Sequence, residues 1–375
     1  MSSAIARLID EKSVIVTVGA GGVGKTTTAA AIALQGALRG KRVLCLTVDP
    51  AKRLAESFGF QEMPKEAAEI PKARFEAAGL HPKGTLSVTM LDVKSTFDDF
   101  VRRSTASPAA ADRILQNRLY QYMSTSLAGT QEYMAMEKLA EVKSKGKYDL
   151  IVLDTPPTAN ALDFLDAPER LVDALDSAAL KWFVMAFKSS GKFSLNILAK
   201  GAALALQTIG KITGGDFLEQ LAELVSELSV LFDSFRERAV EVQKTLRAPD
   251  VAFLLVTSPS PLSVREALYF ADRLREAGIP RSGFIVNRMH GEHGEIASEQ
   301  LVGSALSRRG LEPGLASAIV RAASEERFIA LEDARQIALL RPHLQDGVPI
   351  VALPDFPTSV QDLPLLAKLG EYATA

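Results

Sequence analysis

The chain has 375 residues, 47% of them hydrophobic, and a formal net charge of −2. That is enough for one large or two ordinary domains with a full core, and the near-neutral balance gives no electrostatic case for nucleic acid as a partner. A single cysteine, Cys45, excludes a disulfide within the chain and points to a reducing compartment, the cytoplasm.

The opening residues lack a charged-then-apolar leader, so no signal peptide is expected. No uncharged apolar run reaches about 18 residues, so no membrane span is expected either. The first strong signal is the β-branched run Val14–Val18. It leads into Gly19-Ala20-Gly21-Gly22-Val23-Gly24-Lys25-Thr26 and then Thr27-Thr28 and an alanine-rich helix. Strand, glycine loop and helix start fit the P-loop pattern G-x-x-x-x-G-K-[ST]. Phosphates need many N–H donors at close range, which glycine permits by removing side chains and allowing positive φ. The helix start then points free N–H groups at the anion. In this reading Lys25 reaches the β/γ-phosphates and Thr26 ligates Mg²⁺, while Gly19 to Thr27 wrap the phosphates. The same letters satisfy G-x-G-x-x-G, and Asp49 falls where a ribose-binding acid of a dinucleotide site would lie. Lys25-Thr26 argues against that alternative, because a dinucleotide loop needs neither.

Further strands are expected at Arg42–Val48, Leu86–Leu91, Leu150–Asp154, Val251–Thr257, Gly283–Val286 and Ile350–Leu353. Helical crossovers are expected after Gly24 and Pro261. The alternation predicts an α/β fold, a mostly parallel doubly wound sheet flanked by helices. Cys45 lies within one such strand and reads as buried filler. Two acids end strands. Asp154, followed by Thr155-Pro156-Pro157-Thr158, occupies the Walker B position, where a carboxylate holds the Mg²⁺ hydration shell. The turn after it is expected to sense the γ-phosphate. Asp49, before Pro50-Ala51, is placed to orient or deprotonate the attacking water, or to hold Mg²⁺ through water. Helix capping is its bland alternative.

The later strand ends address the base. Asn287-Arg288-Met289-His290 lacks the aspartate that guanine-specific sites use, whereas the Asn287 amide can pair with the donor and acceptor edge of adenine. ATP is therefore the expected nucleotide. Arg288 adjoins this contact, and Leu353-Pro354-Asp355-Phe356-Pro357 is either a lid on the base, with Pro354 touching it, or an exit turn. His290, His293, Glu292 and Glu295 do not have the spacing of a tetrahedral zinc site, and no zinc is expected.

Between Ser95 and Leu246 the pattern is helical apart from Leu150–Asp154. A long amphipathic helix is expected from an N-cap at Asp216 through Leu218, Leu221, Val225, Leu228, Phe232, Phe235, Ala239, Val242 and Leu246. The segment from Trp182 to Thr213 mixes apolar and small residues, and reads as either bundle core or an apolar surface for a client. The expected organisation is a P-loop core of residues 1–94, 147–165 and 249–375, with residues 95–146 and 166–248 as an inserted helical subdomain.

Together, Gly21-Gly22-Val23-Gly24-Lys25-Thr26, Asp49-Pro50-Ala51, Asp154-Thr155-Pro156-Pro157-Thr158 and Val286-Asn287-Arg288 resemble the arsenical pump-driving ATPases and their relatives that target tail-anchored membrane proteins. The resemblance spans nearly the whole chain. It implies a dimeric ATPase with nucleotides at the subunit interface and a helical subdomain for a client or effector. On that resemblance Asp49 is the water-activating residue and Asn287 an adenine contact. Four departures stand out. The family's signature lysine is replaced by Ala20, which implies either a homodimer with a weaker trans contact or a heterodimer with a lysine-bearing paralogue. One cysteine cannot supply the family's arsenite site, so arsenite transport is not expected. The paired cysteines that bridge targeting-factor dimers through zinc are absent. Finally, Thr158-Ala159-Asn160 stands where the family has Thr-Gly-His. Two other readings stay open: a non-hydrolysing, nucleotide-dependent interaction module or pseudo-subunit, and a membrane- or DNA-positioning ATPase. The short, barely basic end from Leu363 to Ala375 offers little support to the latter.

Overall fold

The apolar runs of the sequence pair side by side into one sheet. In chain order its strands are β1 (Val14–Val18), β2 (Arg42–Thr47), β3 (Ala68–Glu69), β4 (Thr85–Met90), β5 (Leu150–Asp154), β6 (Val251–Thr257), β7 (Arg281–Met289) and β8 (Ile350–Pro354). Their lateral order is β3-β4-β2-β5-β1-β6-β7-β8. All neighbouring pairs are parallel except β3 with β4. This is a computed structural model, and it describes residues 3–48, 52–118, 120–121, 124, 130–155, 173, 231–279, 281–291, 294–343 and 348–375.

Strands β1, β5 and β6 are buried along their whole length, as unbroken apolar runs require when helices cover both faces of a parallel sheet. All seven expected strands form. The eighth, β3, is a two-residue antiparallel edge whose Ala68-Glu69 carries no apolar run to announce it. Strand β7 also begins earlier than expected, at Arg281, which pairs with Phe253.

Helices α1 (Ala4–Glu11), α2 (Lys25–Leu38), α3 (Lys52–Phe58) and α4 (Lys72–Ala77) alternate with the first strands. Four more, α5 (Val93–Ser104), α6 (Pro108–Gln116), α7 (Thr130–Ser144) and α8 (Phe232–Leu246), come from the middle of the chain. They are followed by α9 (Pro261–Glu276), α10 (Glu299–Arg308), α11 (Ala316–Ala338) and α12 (Leu363–Thr374). The two expected crossovers are α2 and α9. In α9 the Ser260 side chain accepts from the Ser263 N–H, and Pro261 stands in the first turn, where its missing N–H costs nothing.

The chain divides into two compact units. One takes in Met1–Met90, Lys147–Ala161 and Pro249–Ala375, and the other Leu91–Gly146 and Leu162–Ala248. The first contains the sheet. In the second, the described elements are helices. Phe100 stacks on Phe235 at 4.2 Å between ring centroids, and buried Glu137 is held by the Arg238 guanidinium at 2.8 Å. Helix α8 covers the last part of the stretch expected as one long amphipathic helix from Asp216, but it begins at Phe232, with Leu231 as its N-cap. It buries Phe235, Ala239, Val242 and Leu246, steps of four, three and four residues. Residues 49–51, 156–172 and 174–230 lie outside the described residues, and with them Asp49, the Pro156-Pro157-Thr158 part of the turn after Asp154, the Trp182–Thr213 segment and the Asp216 cap. Among the described residues no helix is long and apolar enough to cross a membrane.

Alanine-rich α2 is buried from Thr28 to Ala37 and packs against both the sheet and α12. Small residues make that double contact possible. A Cβ on Gly370 of α12 would lie 2.5 Å from Gln35 Cγ and 3.0 Å from the Ala31 carbonyl oxygen. Gln35 Nε2 in turn donates to the Ala367 carbonyl at 3.1 Å. Gly370→Ala should therefore lower stability by about 1–3 kcal/mol through overpacking, even though alanine is the better helix former. Urea unfolding measures this, and a neutral or stabilising effect would contradict the close α2–α12 contact.

Candidate functional site

The parallel order brings the carboxyl ends of β1, β5 and β2 together, with Thr17 and Thr47 in register with Asp154 on either side. In an open α/β sheet this edge is where ligands bind. The glycine loop leaves β1 here and turns into α2 at Gly24, whose φ of 94° is a left-handed conformation that glycine adopts without strain. At the start of the loop, a Cβ on Gly19 would lie 2.0 Å from the Val256 carbonyl oxygen. The loop thus lies against the end of β6 as only glycine allows. Gly21 and Gly22 are exposed, Ala20 is half-buried and Val23 is buried.

Two side chains close on this loop. Lys25 is buried and its Nζ donates to the Ala20 carbonyl at 2.8 Å. Asn287, from the end of β7, donates from Nδ2 to the Val23 carbonyl at 2.9 Å. Thr26, one residue into α2, donates from Oγ1 to Asp154 Oδ2 at 2.6 Å. Thr47 Oγ1 donates to the same oxygen at 2.9 Å. Asp154 is fully buried, and a buried carboxylate is tolerable only when donors satisfy it. Of the residues named for phosphate and metal, Gly24, Lys25, Thr26 and Asp154 are therefore brought to one place. Asp49 follows β2 by two residues and lies outside the described residues.

Thr47 did not stand out in the sequence. Its signal was there: a hydroxyl closing the apolar run Val43-Leu44-Cys45-Leu46 needs a buried partner. Cys45, beneath the site, is fully buried. Burial first, and the Asp154 carboxylate second, push its thiol up, so it is an inert core residue.

Beside the loop lies a cavity of about 600 Å³ lined by Gly24, Thr26, Thr27, Ser57, Asn287 and Arg288 on one side and by residues 354–361, Leu366 and Leu369 on the other. Its size suits a nucleotide-sized ligand. Pro354 and Phe356 both line it, which places the segment after β8 at the cavity rather than away from it. Arg288 has φ of 59° and is the only non-glycine residue with positive φ among the described residues. It sits in a bulge. Val286 pairs with Ala352 and Met289 with Pro354, so two residues of β7 face one of β8, a device that re-aims side chains near sites.

The oxygen chemistry suits Mg²⁺. Thr26 offers a hydroxyl and Asp154 a carboxylate, and Mg²⁺ takes the rest of its shell from water and phosphate. Among the described residues no cluster of three His, Cys, Asp or Glu side chains could hold a metal. His290 instead binds Asp333 Oδ2 of α11 through its backbone N–H at 3.0 Å and its ring Nδ1 at 2.8 Å. Glu292 and His293 lie outside the described residues.

Thr47→Val keeps the shape and removes one donor from the buried carboxylate. It should cost about 1–3 kcal/mol of stability, read by denaturant unfolding. Unchanged stability would mean that Thr47 does not support Asp154.

Residues 12–301 match the sequence profile of a family described as "Anion-transporting ATPase". A protein named "ATPase get3" from Aspergillus terreus is 30% identical over 77% of this chain and 77% of its own length. Two proteins named "Putative arsenical pump-driving ATPase", from Prosthecochloris vibrioformis and Chlorobaculum tepidum, are each 27% identical over 72% of this chain. The match spans 60% of the length of each of these two.

Proposed function

The chain belongs to the anion-transporting ATPase family, and from that premise we propose that it binds and hydrolyses ATP with Mg²⁺ as a dimer, its nucleotide cycle driving the helical unit to take and release a client or effector. The observation that carries the reading is the meeting of the glycine loop, Thr26 and Asp154 at one end of the sheet, next to a cavity of nucleotide size.

The proposed roles draw on this geometry and, for Asp49, on the sequence alone. Loop N–H groups from Gly19 to Thr27 and the first turn of α2 take the phosphates. Lys25 leaves the Ala20 carbonyl for the β/γ-phosphates, exchanging a neutral acceptor for a charged one. Thr26 and Asp154 would hold Mg²⁺, which would supply charge neutralisation at the phosphates; Asp154 and Asp49 would act on it through water. Asp49 also orients the attacking water and accepts its proton. Adenine lies in the cavity against Asn287, Arg288 and Pro354. One Asn287 N–H is committed to Val23, so the base meets the other N–H and the amide oxygen.

The client is an apolar or membrane-protein segment, and the protein works in the cytoplasm. Arsenite is not its trigger, since one cysteine cannot form a multi-thiolate site in one chain. The dimer is either a homodimer or a heterodimer with a paralogue carrying lysine at the position of Ala20. That residue also favours a second reading, a nucleotide-dependent module that does not hydrolyse, because no lysine at position 20 can reach across to a partner's phosphates.

Turnover separates the two. Steady-state ATP hydrolysis with Mg²⁺ should be measurable for the unmutated chain, alone or with its paralogue. Lys25→Ala should cost about 2–5 kcal/mol, the range for truncating a close charge pair, or roughly 30-fold or more in affinity or turnover. Unchanged binding and turnover in that variant would refute the phosphate-loop assignment.

Ala20 gives a further expectation. A trans lysine stabilises charge developing on the phosphates, so the isolated chain should turn over slowly despite normal ATP binding. Ala20→Lys, or a lysine-bearing paralogue, should raise turnover at saturating ATP. Brisk turnover of the unmutated chain that responds to neither would remove the case for a heterodimer.

A further inference from the structure

Asn287 is expected to read the base, yet in the structure its amide is turned to the phosphate loop. Its Nδ2 donates to the carbonyl of Val23, the residue before Gly24, and both Asn287 and Val23 are buried. A carbonyl oxygen can only accept, so the amide nitrogen must face it. A second observation concerns the same slot. A Cβ on Gly24 would lie 2.2 Å from Asn287 Nδ2. The absence of a side chain at position 24 therefore does two things: it allows φ of 94°, and it leaves the space that the Asn287 amide fills. A third lies in the strand. Regular pairing of β7 ends with Val286, opposite Thr257 of β6 and Ala352 of β8, and resumes on β8 only at Met289. Asn287 thus stands at the first position of the bulge, where its direction is set by the bulge and by left-handed Arg288.

We propose that Asn287 is a positioning residue for the phosphate loop, holding it through the Val23 carbonyl in register with the base cavity. The inference rests on the nucleotide site proposed above and deepens it. The loop's shape depends on a hydrogen bond from the strand that also walls the cavity, so base recognition and phosphate recognition share one side chain. Holding that carbonyl also turns it toward a donor and away from anionic oxygens, which it would repel.

The two roles of Asn287 differ in what its loss does to a ligand without a base. Binding of Mg²⁺–ATP and of Mg²⁺–tripolyphosphate to the full chain is measured by calorimetry, for the unmutated protein, Asn287→Ala and Asn287→Asp. Both variants should weaken both ligands, tripolyphosphate by about three- to tenfold, the factor a neutral hydrogen bond supports. Asn287→Asp keeps the shape should the alanine variant not fold. At neutral pH the introduced carboxylate has no proton to give Val23. As pH falls it gains an O–H that can donate, so its deficit against the unmutated protein at the same pH should narrow for both ligands. Protonation also relieves the repulsion between the introduced carboxylate and phosphate, so the narrowing supports the inference only together with the loss of tripolyphosphate binding in Asn287→Ala. Loss confined to ATP, with tripolyphosphate binding intact, would overturn the inference while leaving the nucleotide site standing. A deficit in Asn287→Asp that does not change with pH would also overturn it. If the unmutated chain bound neither ligand, the nucleotide reading would fall and the inference with it.

Discussion

A carboxylate with no exposure to water dictates the arrangement at the carboxyl edge of the sheet. Asp154 ends β5 in the middle of the sheet, between β1 and β2. An isolated charge there would be prohibitive, and the chain supplies its Oδ2 with hydroxyls from two other elements, Thr47 on β2 and Thr26 on α2. Thr26 is in register with the phosphate loop by covalent connection alone. Fixing its hydroxyl to Asp154 therefore fixes where the loop ends and the helix begins. The same hydroxyl and carboxylate are the groups proposed for Mg²⁺. A local need for charge compensation thus brings together the two groups proposed for the ion.

The loop itself is held by its carbonyls. Lys25 takes that of Ala20 and Asn287 that of Val23, while the N–H groups of the glycines are the donors an anion needs. Carbonyl oxygens pointing into such a cradle would repel phosphate. Engaging the Val23 carbonyl with the Asn287 donor from β7 removes part of that repulsion. The Lys25 bond has a second property: it joins a cation to a neutral acceptor, which is weaker than a cation joined to phosphate.

The fold was legible because its main signals are local and redundant. Short, β-branched apolar runs such as Leu150-Ile151-Val152-Leu153 suit a strand buried on both faces, and a glycine loop that ends in Lys25-Thr26 between strand and alanine-rich helix fits the phosphate-loop pattern. What escaped were features that depend on partners distant in sequence. Thr47 is one residue in an apolar run, and its purpose appears only when β2 lies beside β5. The edge strand β3 exists because Ala68 and Glu69 find Val88 and Ser87, not because of any propensity of their own. Asn287 was read from its chemistry as an adenine contact. Amide chemistry fits a backbone carbonyl equally well, and only the fold shows that one N–H is spent on Val23. His290 shows the opposite case: histidines and glutamates close in sequence invite a metal, whereas His290 binds Asp333 of α11.

Ala20 can be judged in the same terms. The bond that Lys25 makes at this position uses the backbone carbonyl, so it does not depend on which side chain residue 20 carries. The alanine methyl packs partly against the core and disturbs nothing in the loop. Within one chain, then, alanine in place of the family's lysine has no visible cost to the shape of the phosphate cradle. Gly21 and Gly22 next to it are exposed, so a group arriving from outside meets the loop at this point. A lysine side chain at position 20 would act there, on whatever approaches the loop from outside. This is why the proposed consequence of Ala20 is low turnover with intact ATP binding. A defect in folding or in the loop's own hydrogen bonds would have lowered both together.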